Sequence, residues 1–170
     1  TVTGPEMIIN ELFACPEKAA DDGDANGDGL TSGSEDEFVE LVNVSSNALD
    51  VSGWSVSDAT MTRLKFPEGT TVKAGKALVV FGGGKLAKFS SLGGATVLVG
   101  NSKKLGLNNT GDKLTLKNKV GKVVNEMFYG AEGGKGVSLV RATDGDPNAA
   151  FVQHPDVAQS AGVRIDGQPF

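Results

Sequence analysis

The chain has a single cysteine, Cys15, so no internal disulfide can form and the fold must hold by packing and hydrogen bonding. It has a single histidine, His154, which excludes a multi-histidine zinc centre. No apolar run approaches the ~18 residues that a membrane-crossing helix needs. Basic residues are the minority, with 16 Lys and Arg against 21 Asp and Glu and a net charge of −5. That balance argues against a nucleic-acid footprint, which needs a basic patch or stripe. Helical periodicity is scarce, and only "KLAKFSSL" (85–92) offers one short helical turn. Catalytic signatures are missing as well. There is no G-x-S-x-G elbow and no S-x-x-K, and "FGGGKLAKF" lacks the G-x-x-x-x-G-K-[ST] phosphate loop and reads as a glycine-rich turn. The opening "TVTGPEM" has neither a basic nor an apolar leader region, so a leader is expected to have been removed.

What the sequence has is glycine, 24 residues of it, and short β-branched runs between turns. Strands are expected at "MIINEL" (7–12), "FVELVN" (38–43), "LDVSGWSVSD" (49–58, broken at Gly53) and "RLKF" (63–66). Others follow at "ALVVF" (77–81), "ATVLVG" (95–100), "DKLTLKN" (112–118), "KVVNEMFYG" (122–130) and "GVSLVR" (136–141). These are about nine short strands at spacings of roughly 8–15 residues, the pattern of an all-β antiparallel sandwich or barrel. "FVELVN" carries only one charge, Glu40, and "ALVVF" carries none, so both are expected to be buried. One domain is expected over 1–170, with its core at about 7–142 and an irregular extension at 143–170.

The segment "DANGDGLTSGSE" (24–35) is acidic, rich in glycine, and runs directly into a core strand. It fills every constrained position of an EF-hand calcium loop, D-x-[DN]-x-[DN]-G-x5-E. Asp24, Asn26 and Asp28 take positions 1, 3 and 5, and Gly29 takes the sharp turn at position 6. Leu30 would offer its carbonyl, Ser32 sits where water often bridges, and Glu35 is the bidentate ligand. Calcium takes six to eight hard oxygens, and alternate residues of a tight loop can aim theirs inward. Asp21, Asp22, Asp36 and Glu37 add further like charge, which makes sense if a cation, Ca2+, sits among it. A solvated acidic loop is the plainer alternative. No helix pair flanks the loop, so the expected role is structural rather than sensory.

The remaining polar and aromatic landmarks have bland readings. Asn10 and Glu11 fall inside a strand and can bond neighbouring backbone, and Asn43 ends the next strand with a local turn bond. Cys15, before Pro16, reads as a buried, inert thiol. His154 lies in the irregular tail without a second ligand. "TDGDPN" (143–148) reads as a turn, with Asp144 and Asp146 as a weaker candidate for a second calcium site. Lys103, Lys104, Lys113, Lys117, Lys119 and Lys122 make a locally basic region, either a solvated face or a place to meet a polyanion such as nucleic acid.

Five stretches together resemble a lamin tail domain: "IINEL" (8–12), "DEFVELVNVSSNALDVSGWSVSD" (36–58), "FPEGTTVKAGKALVVF" (66–81), "LGLNNTGDKLTLKNKVGKVVNEMFYG" (105–130) and "VSLVR" (137–141). The resemblance implies an immunoglobulin-like antiparallel β-sandwich with Trp54 in its core. The acidic loop resembles an insertion in bacterial, extracellular members of that family. The family implies interaction surfaces rather than one activity, with proteins and DNA among the proposed partners of nuclear members and nuclease or phosphatase neighbours among bacterial ones. No catalytic residue carries over from it. The expectation is therefore a non-enzymatic, calcium-stabilised interaction or adhesion module of an exported or cell-surface protein, with an unknown protein or surface ligand as partner. The alternative is an accessory, substrate-placing domain of a secreted hydrolase, with polyanion contact through Lys103, Lys104 and Lys122.

Overall fold

A computed structural model describes residues 4–85 and 92–170. Its strands are β1 (Met7–Phe13), β2 (Phe38–Asn43), β3 (Leu49–Asp50), β4 (Ser55–Ser57), β5 (Thr62–Lys65), β6 (Thr71–Val72), β7 (Ala77–Phe81), β8 (Thr96–Val99), β9 (Asp112–Lys117), β10 (Val123–Tyr129), β11 (Leu139–Arg141) and β12 (Phe151–Gln153). Each run expected from the sequence contains a strand. Gly53, at φ 72°, splits the 49–58 run into β3 and β4. The helical turn expected over 85–92 falls on 86–91, outside the described residues.

The strands form a six-stranded sheet in the order β12-β11-β1-β2-β7-β8 and a four-stranded sheet in the order β10-β9-β4-β5, with β3 and β6 as a small pair. Between the two large sheets lies the sandwich core. Met7, Ile9, Leu12, Val39, Leu41, Leu78 and Val80 come from one side, and Val56, Leu64, Leu114, Leu116 and Met127 from the other. Trp54 packs against this core but is only half-buried, so it closes the edge rather than filling the centre. One pairing departs from the antiparallel expectation: β7 and β8 run parallel, with Leu78 opposite Thr96 and Phe81 opposite Val99. Parallel neighbours need a crossover of about a dozen residues, and the segment between these two strands is long enough to supply it.

The six-stranded sheet is apolar on its other face too. Phe13, Phe38 and Phe81 stack there with centroids 5.9 and 5.8 Å apart, beside Val79, Val42 and Ala77. Ala25 of the acidic loop and Ala161 and Phe170 of the C-terminal segment cover them. The 143–170 extension is therefore not simply irregular. It adds β12 to the sheet, forms a bridge between Val163 and Pro169, and serves as part of a third layer.

A bulge in β1 shapes this outer face. Ile9 pairs with Leu41 and Glu11 with Glu40, leaving Asn10 as the extra residue. Two consecutive side chains, Asn10 and Glu11, thereby face outward while Ile9 and Leu12 stay in the core. The amide of Ile9 donates to Asn125 Oδ1 on β10, 2.9 Å away. If the third layer is integral to the fold, Phe38→Ala should lower the unfolding free energy by about 3–5 kcal/mol in urea titration. A loss under about 1 kcal/mol would mean that the layer does not close over the ring.

Candidate functional site

The acidic segment joins β1 to β2, after a single 3-10 turn at Pro16–Lys18. Its local structure follows from short side chains that bond their own backbone. Asp24 accepts the amides of Asp28 (3.1 Å) and Gly29 (2.8 Å), Asn26 Oδ1 accepts Asp28 N (2.9 Å), and Asp28 accepts Leu30 N (3.1 Å). Gly29 sits at φ 94°, a conformation that a side chain at the sixth loop position would strain. Ser32 Oγ accepts Glu35 N at 3.2 Å. The side chain of Leu30 is 70% exposed, as a residue contributing only backbone can be.

Two anchors hold the loop to the sheet. Ala25 and Asn26 are buried, with Asn26 Nδ2 donating to Gly83 O at 3.4 Å. Asp36, buried at the far end, accepts Asn26 N (3.1 Å) and Ser32 N (2.7 Å) and so clamps the two halves together. Nothing in the sequence pattern singled out Asp36, which lies one residue beyond the signature. The "FGGGK" glycines prove to be the seat of the loop. A Cβ at Gly82 would come within 1.9 Å of Ser34 O, and one at Gly83 within 2.7 Å of Glu35 Cγ.

The structure thus brings Asp24, Asn26 and Asp28 into one compact turn, ties Ser32 to it only through Asp36, and lays Glu35 against Gly83. Asp28, Leu30 and Glu35 line an open cavity of about 470 Å³, with Lys85 and Lys103 also in its lining. Among the described residues, no three of His, Cys, Asp or Glu form a group that could hold a metal. Seven carboxylates fall between residues 21 and 37 with no lysine or arginine among them. None takes part in any of the ion pairs found among the described residues, which join Arg63 to Asp58, Lys113 to Glu126 and Lys119 to Glu68. Burial, with Asp24 and Asp28 nearby, pushes Asp36 up to about 6. Burial does the same to Glu37, pushed up to about 7 although it accepts the amides of Leu105 and Gly106.

The other candidates are tied into local structure. Asp144 accepts from Asn10 Nδ2 and Ile165 N, both at 2.9 Å, and Asp146 accepts Asn148 N at 2.8 Å, so these carboxylates staple turns. His154 is buried, which pushes it down, and its Nδ1 accepts the amides of Asp156 and Val157. The Cys15 thiol is buried and pushed up, and it donates to Glu17. Lys103, Lys104 and Lys122 do not form one patch. Lys103 and Lys104 adjoin Leu105, bonded to Glu37 at the Asp112 end of β9, whereas Lys122 closes the turn from Asn118 at the other end.

Two further carboxylates stand out that the sequence reading passed over as strand residues. Glu11 and Glu40 lie directly opposite on β1 and β2, both fully buried beneath the C-terminal segment. A carboxylate placed among the apolar residues of each strand was the available signal.

Asp36→Ala removes the acceptor for two amides, that of Asn26 buried and that of Ser32 partly so, and stability should fall by about 1–3 kcal/mol. Limited proteolysis should then cut within 24–33, and unchanged resistance there would count against the clamp.

Against known proteins, the chain has no match among curated proteins. The family model described as Lamin Tail Domain matches residues 5–131, from just before β1 to just past β10. On that match and the two-sheet fold that carries it, the chain belongs to the lamin tail domain family.

Proposed function

We propose that the protein is a non-enzymatic interaction module of an exported or cell-surface protein, steadied by one calcium ion in the 24–35 loop. The observation that carries this reading is the acidic segment packed onto the sheet: seven carboxylates between residues 21 and 37, no basic residue among them, and no ion pair to any of them among the described residues, although Lys85 and Lys103 share a cavity lining with Asp28 and Glu35. The donor set suits the ion. Asp24, Asp28 and Glu35 are carboxylates, Asn26 an amide oxygen, Leu30 a backbone carbonyl and Ser32 a hydroxyl, all hard oxygens. The bound ion supplies countercharge and ties the loop's two halves together. A loop of this kind suits surroundings rich in calcium, as outside the cell. The family membership supports an interaction role, since its fold by itself fixes no chemistry.

The alternative, a module that places a polyanionic substrate for a neighbouring hydrolase, draws on the outer face of the four-stranded sheet. Lys65, Ser55, Lys117 and Val123 stand in one row across β5, β4, β9 and β10. Lys113 lies 5.1 Å over the ring of Phe128, which is 67% exposed. That face replaces Lys103, Lys104 and Lys122 as the surface for such contact.

Calcium should raise the melting temperature of the unmodified protein, with about 2.7 kcal/mol of stabilisation at a hundredfold excess over Kd. Glu35→Ala should lower melting in calcium and leave it nearly unchanged in chelator. Identical melting of the unmodified protein in calcium and in chelator would refute the ion. For the alternative, affinity for heparin or single-stranded DNA should fall steeply with salt, and Lys65→Ala with Lys117→Ala should flatten that slope. A flat slope in the unmodified protein would exclude it.

A further inference from the structure

The outer face of the six-stranded sheet holds a polar cluster with no counterpart in the loop. Glu11 accepts Ser138 Oγ (2.6 Å) and Ser160 N (2.8 Å) on one oxygen, and Ser160 Oγ (2.7 Å) on the other. Glu40 accepts Asn10 Nδ2 (2.9 Å) and Gly162 N (2.7 Å). Asn10 also donates to Asp144, which in turn accepts Ile165 N. Three amides of the C-terminal segment, those of Ser160, Gly162 and Ile165, therefore end on three carboxylates of the body and the 143–147 turn. Between these bonds Ala161 packs onto the cluster of Phe13, Phe38 and Phe81.

No cation offsets this cluster among the described residues. From β1 it is faced by Asn10 and Glu11, from β2 by Glu40, from β11 by Ser138, from the turn by Asp144, and from the strap by Ser160 and Gly162. Arg141, on β11, turns its guanidinium to the carbonyls of Ile9, Pro147 and Ala149. Arg164, on the strap, lies over the ring of Phe170, and buried His154, whose amide donates to Ser138 O, is a further titratable group near Asp144, pushed down by burial. Two buried carboxylates opposite each other on neighbouring strands cannot both carry charge cheaply in a dry layer.

We infer that Glu11 and Glu40 form a proton-held latch, which keeps residues 158–165 strapped across the outer sheet face while the pair retains a proton and releases them when it is lost. Release would uncover the Phe13, Phe38 and Phe81 face and leave the sandwich core in place. Burial supports this polarity, pushing Glu11 up to about 7 and Glu40 well above the ordinary glutamate range. A carboxyl raised in the folded state favours the closed form at low pH. That contribution is complete below the ordinary range and is lost as pH climbs through about 7. The bonds from Ser160 and Gly162 favour the ionised carboxylates, but the cost of burying two like charges outweighs them, so the strap covering the pair is the part that opens to admit water.

Amide hydrogen exchange on the whole chain in chelator tests this independently of any ion in the 24–35 loop. After correction for intrinsic exchange, protection of Ser160, Gly162 and Ile165 should fall by up to about tenfold per pH unit between about pH 5 and 7 and level off once the pair is ionised, while Leu41 and Val80 stay protected. Glu11→Gln should flatten that dependence, since Ser160 Oγ can turn to accept the new amide. Strap protection independent of pH would overturn the latch, as would an equal loss in β2 and β7. So would a Glu11→Gln profile matching the unmodified one. Should that variant not fold, the unmodified profile decides alone.

Discussion

A sheet that is apolar on both faces has to be covered twice, and that requirement organises this molecule. Strands β1, β2 and β7 present Ile9, Leu41 and Leu78 to the sandwich core and Phe13, Phe38 and Phe81 to the other side. The four-stranded sheet covers the first face. The second is covered by segments with little regular structure of their own, the acidic loop through Ala25 and the C-terminal segment through Ala161 and Phe170. Aromatic rings of this size bury much apolar surface when covered, and the polar bonds of each covering segment fix it over them.

That arrangement explains why charge accumulates where it does. A covering segment brings its backbone amides onto an apolar surface, and each needs an acceptor. Asp36 serves the loop, Glu11 and Glu40 serve the C-terminal segment, and Asp144 serves both the turn and the strap. Carboxylates do this well because each accepts several donors. Their concentration under a dry layer then creates a second problem, the mutual repulsion of groups without countercharge. In the loop the proposed remedy is a cation, and beneath the strap it is a retained proton. The same chemistry thus meets two solutions, set by whether the oxygens lie near solvent or are sealed from it.

The β1 bulge links the two halves of this account. By inserting Asn10 it turns two adjacent polar side chains outward without disturbing the core alternation on either side. Beside it, the amide of Ile9 donates to Asn125 from the opposite sheet. A local irregularity in one strand is therefore tied to both neighbouring layers.

Most of the strands, the sandwich class and the family were legible in the sequence, because period-two patterning, β-branched runs and turn residues are local properties, but β6 and β12 lay outside every expected run. The calcium-loop signature was legible as a pattern for the same reason. Contacts between distant residues were not. Local patterning did not show that Gly82 and Gly83 seat the acidic loop, that Asp36 clamps it, or that Lys103 and Lys122 stand at opposite ends of β9. Nor did it separate Glu11 and Glu40 from ordinary strand residues. Their pairing depends on a one-residue slip in register and on a covering segment more than a hundred positions away. Sequence determined which pieces would be strands and which would turn. Tertiary structure alone decided which faces were sealed, because burial is a property of what lies opposite, and that partner is supplied by the fold.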